Sequence, residues 1–121
     1  MTLVGRLELW VPPVALMGLI FFLSAQPDLS SGLGAWDMLL RKLAHASVYA
    51  ALTYLWWRAL RETVPNPGPR AVAAAWLIAV AYSATDEWHQ TFVTGRHGSP
   101  LDVLIDAGGA SAAALWAMRR T

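Results

Sequence analysis

Leu9–Ala25, LWVPPVALMGLIFFLSA, holds no charged residue, and how that run is read decides the architecture. Three more runs follow it. Leu43–Trp57 (LAHASVYAALTYLWW) has His45 as its one ionisable group apart from tyrosine, and Ala71–Thr85 (AVAAAWLIAVAYSAT) has no charge. Val103–Met118 (VLIDAGGASAAALWAM) has only Asp106. Each run falls a little short of the ~20 residues a helix needs to cross the hydrocarbon core of a bilayer. The polar ends make up the difference, Trp36 to Lys42 ahead of the second run and Asp86 to Phe92 after the third. A segment in hydrocarbon must satisfy its own backbone, which leaves helices as the economical choice. A transmembrane barrel would need roughly ten-residue alternating segments, and none is present.

The sequence therefore predicts an all-α, four-transmembrane-helix bundle in one domain, 1–121, with helices near 7–25, 36–58, 70–92 and 100–118. Composition agrees. Of the 121 residues, 56% are hydrophobic and 14% charged, against roughly 25% charged in an average soluble domain. A net charge of +1 provides no basic surface for nucleic acid, and such high hydrophobicity excludes disorder. With no cysteine, disulfides, thiolate metal sites and cysteine nucleophiles are all excluded.

The connectors are turn-forming: Gln26 to Gly32, the proline-rich Thr63 to Pro69, and Val93 to Gly98. Ala71, Ala75 and Ala79, and the small residues from Ala107 to Ala114, suit close helix packing in a bilayer. The first run resembles a signal peptide in its thin basic start at Arg6. Leu23-Ser24-Ala25 is a poor cleavage site, so the expectation is a retained first helix that Pro12-Pro13 kinks or delays. With four spans, Arg6, Arg58, Arg61, Arg70, Arg119 and Arg120 share one side, against Arg41, Lys42 and Arg96 on the other. The positive-inside rule then puts both termini in the cytoplasm. Trp10, Trp56, Trp57 and Trp116 fall near the inner interface, Trp36 and Trp88 near the outer one.

On that topology the unusual polar residues converge. Lys42, His45 and Tyr49 lie on one face in the first turns of the second helix. The third helix ends through Asp86, Glu87, His89 and Gln90, the loop adds Arg96, His97 and Ser99, and the fourth helix starts with Asp102 and Asp106. All belong to the outer half and face one water-accessible pocket. Plainer readings exist for several. Ser99-Pro100-Leu101-Asp102 is a good helix start, and Lys42 can snorkel to the interface. His45 can be a hydrogen-bonded core histidine, and Tyr49 interfacial packing. Asp106 sits a turn deeper, where an ionised side chain without a partner costs ~2.5 kcal/mol or more; a salt bridge to Lys42 or Arg96 is the structural account. Asp86 and Glu87 at a helix C-terminal end oppose the macrodipole and call for a cation nearby.

At these residues the chain resembles the VanZ-like family of small bacterial membrane proteins. The matching pieces are Phe22-Leu23-Ser24-Ala25-Gln26-Pro27 and Lys42-x-x-His45-x-x-x-Tyr49. The longest is Asp86-Glu87-x-His89-Gln90-x-Phe92-x-x-Gly95-Arg96-x-x-Ser99-x-x-Asp102-Val103, followed by Gly109. The order and spacing span almost the whole chain. Departures fall at Asp106, where the family usually has Asn, and at Arg41, where an acid is common. The resemblance implies a multi-pass protein of the cytoplasmic membrane, in a family whose named member is linked to low-level teicoplanin resistance. That antibiotic acts outside the membrane on lipid-linked wall precursors.

Two functions stand at this level. In one, the cluster acts on or binds an anionic lipid or lipid-linked wall molecule. Arg96 and Lys42 hold its head group, with Tyr49, Gln90 and Ser99 around it, and His45 is general base or acid tuned by Asp86, Glu87 or Asp102. A divalent cation on Asp86, Glu87, Asp102 and Asp106 is a variant. In the other, the cluster is a non-enzymatic lock that joins the helices and binds a partner. A homodimer is a way to bury the polar face. A proton-coupled transporter fits poorly, because the inner halves of the runs are apolar.

Overall fold

Four helices and no strand make up the described residues, which are 2–25, 34–93 and 100–121 of this computed structural model. They are α1 (Leu3–Ser24), α2 (Ala35–Thr63), α3 (Gly68–Gln90) and α4 (Pro100–Met118). Local chemistry sets their ends. Thr2, in extended backbone, accepts the Gly5 N–H on Oγ1 at 3.1 Å, a cap worth about 1 kcal/mol. That cap starts α1 four residues ahead of the expected boundary. Pro12 and Pro13 neither delay nor end it; the helix runs through both. Pro12 has no N–H to give the Glu8 carbonyl four residues back, and Arg58 of α2 supplies the donor instead, Nη2 to O at 3.0 Å.

Helix α2 runs five residues past its expected end. Arg58, Arg61 and Glu62 interrupt the apolar run but are good helix formers. The stop comes at Val64, whose backbone is extended, as the residue before a proline must usually be. Asn66 and Gly68 then take positive φ, 50° and 36°, turning the chain into α3, with Pro69 in its first turn. Helix α4 begins at Pro100 as read; its proposed cap, Ser99, lies outside the described residues.

Side-chain pairings fix the helix directions. Trp10 meets Trp56 edge-on at 5.3 Å, so α1 and α2 are antiparallel. Tyr82 Oη donates to the Met17 carbonyl at 2.5 Å, and Phe21 stacks on His89 at 4.5 Å, so α1 and α3 are parallel. Lys42–Asp102, His45–Asp106 and Trp57–Trp116 make α2 and α4 parallel. Trp76 Nε1 donates to Ser111 Oγ at 2.9 Å between antiparallel α3 and α4. The order is up-down-up-down. Both termini and the α2–α3 connection share one end, with Arg6, Arg58, Arg61, Arg70, Arg119 and Arg120 around it. Helices α2, α3 and α4 pack on one another, while α1 rests on α2, touches α3 lightly and does not reach α4.

The core is built from large residues of α2 against small ones of its neighbours. Tyr49, Leu52, Trp56 and Trp57 are buried, facing Ala71, Ala75, Ala79 and Ala110. The alanines recur every four residues along α3 and let the backbones approach closely. The tightest approach is at Gly109, where any Cβ would strike the backbone of Ala46. Gly108 beside it has nothing within 4 Å of the same position.

Burial is inverted elsewhere. Leu77, Leu104 and Leu115 are 58%, 68% and 67% exposed, whereas Ser83, Asp86, Glu87, Gln90 and Asp106 are buried. Exposed apolar area on this scale calls for an apolar environment or a partner. Helices α1 and α4 are long and apolar enough to cross a membrane, with mean hydropathies of 1.8 and 1.3. Helices α2 and α3 do not reach that threshold, because charged and polar residues dilute their ends.

Candidate functional site

The polar site forms where α2 and α4 start and α3 ends. Because α2 and α4 run parallel and cross closely at Ala46–Gly109, their polar residues come into register turn by turn. At the rim, Lys42 Nζ lies 3.4 Å from Asp102 Oδ1, each side chain about a third exposed. Such an ion pair is worth at most about 1 kcal/mol. One turn deeper, His45 Nδ1 is 3.1 Å from Asp106 Oδ1. Asp106 is 1% exposed, and its second oxygen accepts from Ser83 Oγ of α3 at 2.7 Å. The result is a three-helix chain, Ser83–Asp106–His45.

This geometry reassigns the partner of Asp106. The structural account expected a salt bridge to Lys42 or Arg96. Lys42 pairs with Asp102 instead, and His45 takes Asp106. Spacing explains it: three residues separate Lys42 from His45 and four separate Asp102 from Asp106, so both pairs align on parallel helices. Leaving a buried hydrogen-bonding group without its partner costs about 1–3 kcal/mol, more than the rim pair is worth, so the deeper link carries most of the local energy.

Around that chain, Tyr49 lies one turn below His45, 1% exposed, with its hydroxyl buried and unbonded among the described residues. Asp86, Asp106 and Glu87 are all within electrostatic reach of it. Asp86 is buried at α3 with one carboxylate oxygen unbonded among the described residues, near His45, His89 and Ser24 of α1. Glu87 and Gln90 are buried one turn apart on the same helix. Arg96 and Ser99 lie outside the described residues. His89 packs against Phe21 and ties α1 to α3.

The four carboxylates share one end of the bundle but are not arranged as metal ligands among the described residues. Asp102 faces Lys42 and Asp106 is occupied by His45 and Ser83. Among the described residues no group of three or more acidic or histidine side chains is placed to hold a metal ion, so the cation variant has no ligand set there. Sequence reasoning missed two residues. Ser83 continues the Ala71, Ala75, Ala79 stripe at the same spacing, and a hydroxyl in that stripe was the available signal. Ser24 stood in a quoted motif without a role; it is buried beside Asp86.

With the geometry in place, the comparison with protein families is decisive for kinship: the VanZ/LLP1 family model matches residues 9–120, from α1 through α4. The chain belongs to the VanZ/LLP1 family. Comparison with curated proteins and with solved structures gave no match. Within the VanZ/LLP1 span, the Lys42–His45–Tyr49 face meets Asp86 and Asp102 at one end of the bundle. The Asp106 carboxylate is accommodated by two hydrogen bonds from two helices.

His45 is the partly exposed member of the chain. A carboxylate against Nδ1 favours the tautomer with hydrogen on Nδ1 and leaves Nε2 as the free base. The His45 side chain is 35% exposed while Asp106 behind it is not. The ring is therefore held from the interior and open on the other side. Asp106 in turn stabilises the imidazolium when Nε2 takes a proton.

Proposed function

We propose that this VanZ-like chain is a four-span protein of the bacterial cytoplasmic membrane, both termini inside, whose outer end binds an anionic lipid or lipid-linked wall molecule. The six arginines at the opposite end support that orientation. Charged and polar residues at the site ends of α2 and α3 are accommodated because they face the bundle interior or a polar opening. The observation that carries the functional reading is the Ser83–Asp106–His45 chain, with its exposed end at His45. Lys42 and Arg96 supply positive charge for the head group, and His45 Nε2 accepts or donates a proton at it. By family kinship the readout is teicoplanin sensitivity.

A structural lock is the second reading, favoured by the deep burial of Asp106 and Ser83. A strain lacking this protein would be complemented with wild type, His45→Gln and Lys42→Gln, with teicoplanin sensitivity and the melting temperature of detergent-solubilised protein measured together. Lost complementation at a wild-type melting temperature is the expected result. If function falls only in step with stability, the polar chain is a lock and the site reading fails.

A further inference from the structure

At the other end of the molecule, α3 and α4 leave an open groove of about 290 Å³ lined by Val72, Ala73, Trp76, Ser111, Leu115 and Met118. Its two polar groups satisfy each other, Trp76 Nε1 to Ser111 Oγ, so the groove offers a ligand only apolar surface. Helix α1 does not reach α4 and leaves this face uncovered.

Two arginines stand off the end of the groove, one from each wall. Arg70 precedes Ala73 by three residues on α3. Arg119 follows Leu115 by four and continues the turn of α4 through its N–H to the Leu115 carbonyl, 3.3 Å. Each spacing sets the arginine one turn from a lining residue, at the flank of the groove. Arg120 lies over Trp116 at 4.0 Å and Arg61 over Trp57 at 4.5 Å, while Arg70 gives one N–H, from Nη1, to the Pro65 carbonyl at 3.3 Å and keeps its other donors. No carboxylate among the described residues pairs with Arg70 or Arg119, and the first turn of α3 has no acid. An apolar trough ending between two cations without an acidic partner matches one ligand chemistry.

We propose that an anionic phospholipid occupies this site, one acyl chain along the groove and its phosphate between Arg70 and Arg119. Basic sites between helices at the inner surface hold anionic head groups by the same physics. The site rests on the membrane reading above but not on the His45 chemistry.

The test uses the full chain, extracted from membranes in mild detergent and exposed to equal amounts of phosphatidylglycerol and phosphatidylcholine with the same acyl chains. Native mass spectrometry counts the lipids retained. Phosphatidylglycerol is expected to be held preferentially, and Arg70→Gln or Arg119→Gln each to lower that preference about fivefold. Ala73→Trp fills the groove from an exposed position and is expected to remove the bound lipid. Leu115→Ala, also at an exposed position, is expected to weaken retention without disturbing the core. Equal retention of both lipids overturns the inference. So does a preference that survives Ala73→Trp, or a dimer that Ala73→Trp dissociates. Recovery outside the membrane fraction overturns the membrane reading as well, whereas an unselective protein recovered in membranes overturns the lipid site alone.

Discussion

Gly109→Ala against Gly108→Ala is the sharpest test of how the site is held together. A Cβ on Gly109 would lie 2.6 Å from the Ala46 carbonyl carbon and 2.8 Å from its Cα, and nearer still to its oxygen. Backbone atoms cannot rotate aside. Restoring an ordinary carbon–carbon separation of ~3.5–4.0 Å requires α2 and α4 to part by about 1 Å. His45 and Asp106 sit one turn away at 3.1 Å, so the same displacement takes them near 4 Å, past the limit of about 3.2 Å for a good hydrogen bond. Overpacking costs about 1–3 kcal/mol, and unmaking a bond to a buried carboxylate about 1–3 kcal/mol more. Gly109→Ala is therefore expected to destabilise by roughly 2–6 kcal/mol. Gly108→Ala meets no atom within 4 Å and is expected to stabilise by about 0.5–1 kcal/mol through helix propensity. Denaturant unfolding of the solubilised protein, followed by the fluorescence of its seven tryptophans, reads both. A Gly109→Ala protein that unfolds at the wild-type midpoint, or two substitutions that shift together, refutes the crossing at Ala46.

Two further outcomes follow from the polar chain and from α1. Asp106→Asn keeps a hydrogen-bonding group between Ser83 and His45 and should cost within about 1.5 kcal/mol, whereas Asp106→Ala, which strands the fully buried Ser83 hydroxyl, should cost about 2–4 kcal/mol in the same unfolding assay. A smaller loss from alanine than from asparagine would mean that Asp106 does not bridge the helices. Tyr82→Phe and Arg58→Met each remove a bond from α1, to the Met17 and Glu8 carbonyls. Each is expected to cost about 1 kcal/mol and to raise amide hydrogen exchange in α1 with little change in α2 to α4; an unchanged α1 would contradict its docking by these bonds.

Much of the helix plan was legible in the chain. Uncharged runs of helix-forming residues gave the four helices, and Pro100 marked a boundary by its fixed backbone preference. Where charge ended a run, the reading went astray. Trp57 closes the apolar stretch, yet α2 continues to Thr63 because Arg58, Arg61 and Glu62 favour helix as well as their neighbours do. Likewise Pro12-Pro13 read as a kink or a late start, and α1 begins well before them; the Glu8 carbonyl that Pro12 cannot serve takes its donor from Arg58, 50 positions further along.

For the candidate site, the sequence located the end of the bundle at which Lys42, His45, Asp86, Asp102 and Asp106 meet, since each lies at a fixed distance from a helix end. It left their pairings undetermined. Asp106 had Lys42 and Arg96 as apparent partners, Ser83 looked like one more small residue, and Gly108 and Gly109 were equivalent. Run length and spacing along one chain determine which segments are helical and which faces are polar. Only the tertiary structure sets the rotation and register of α2 against α4, because close approach at one glycine selects the pairs that can touch.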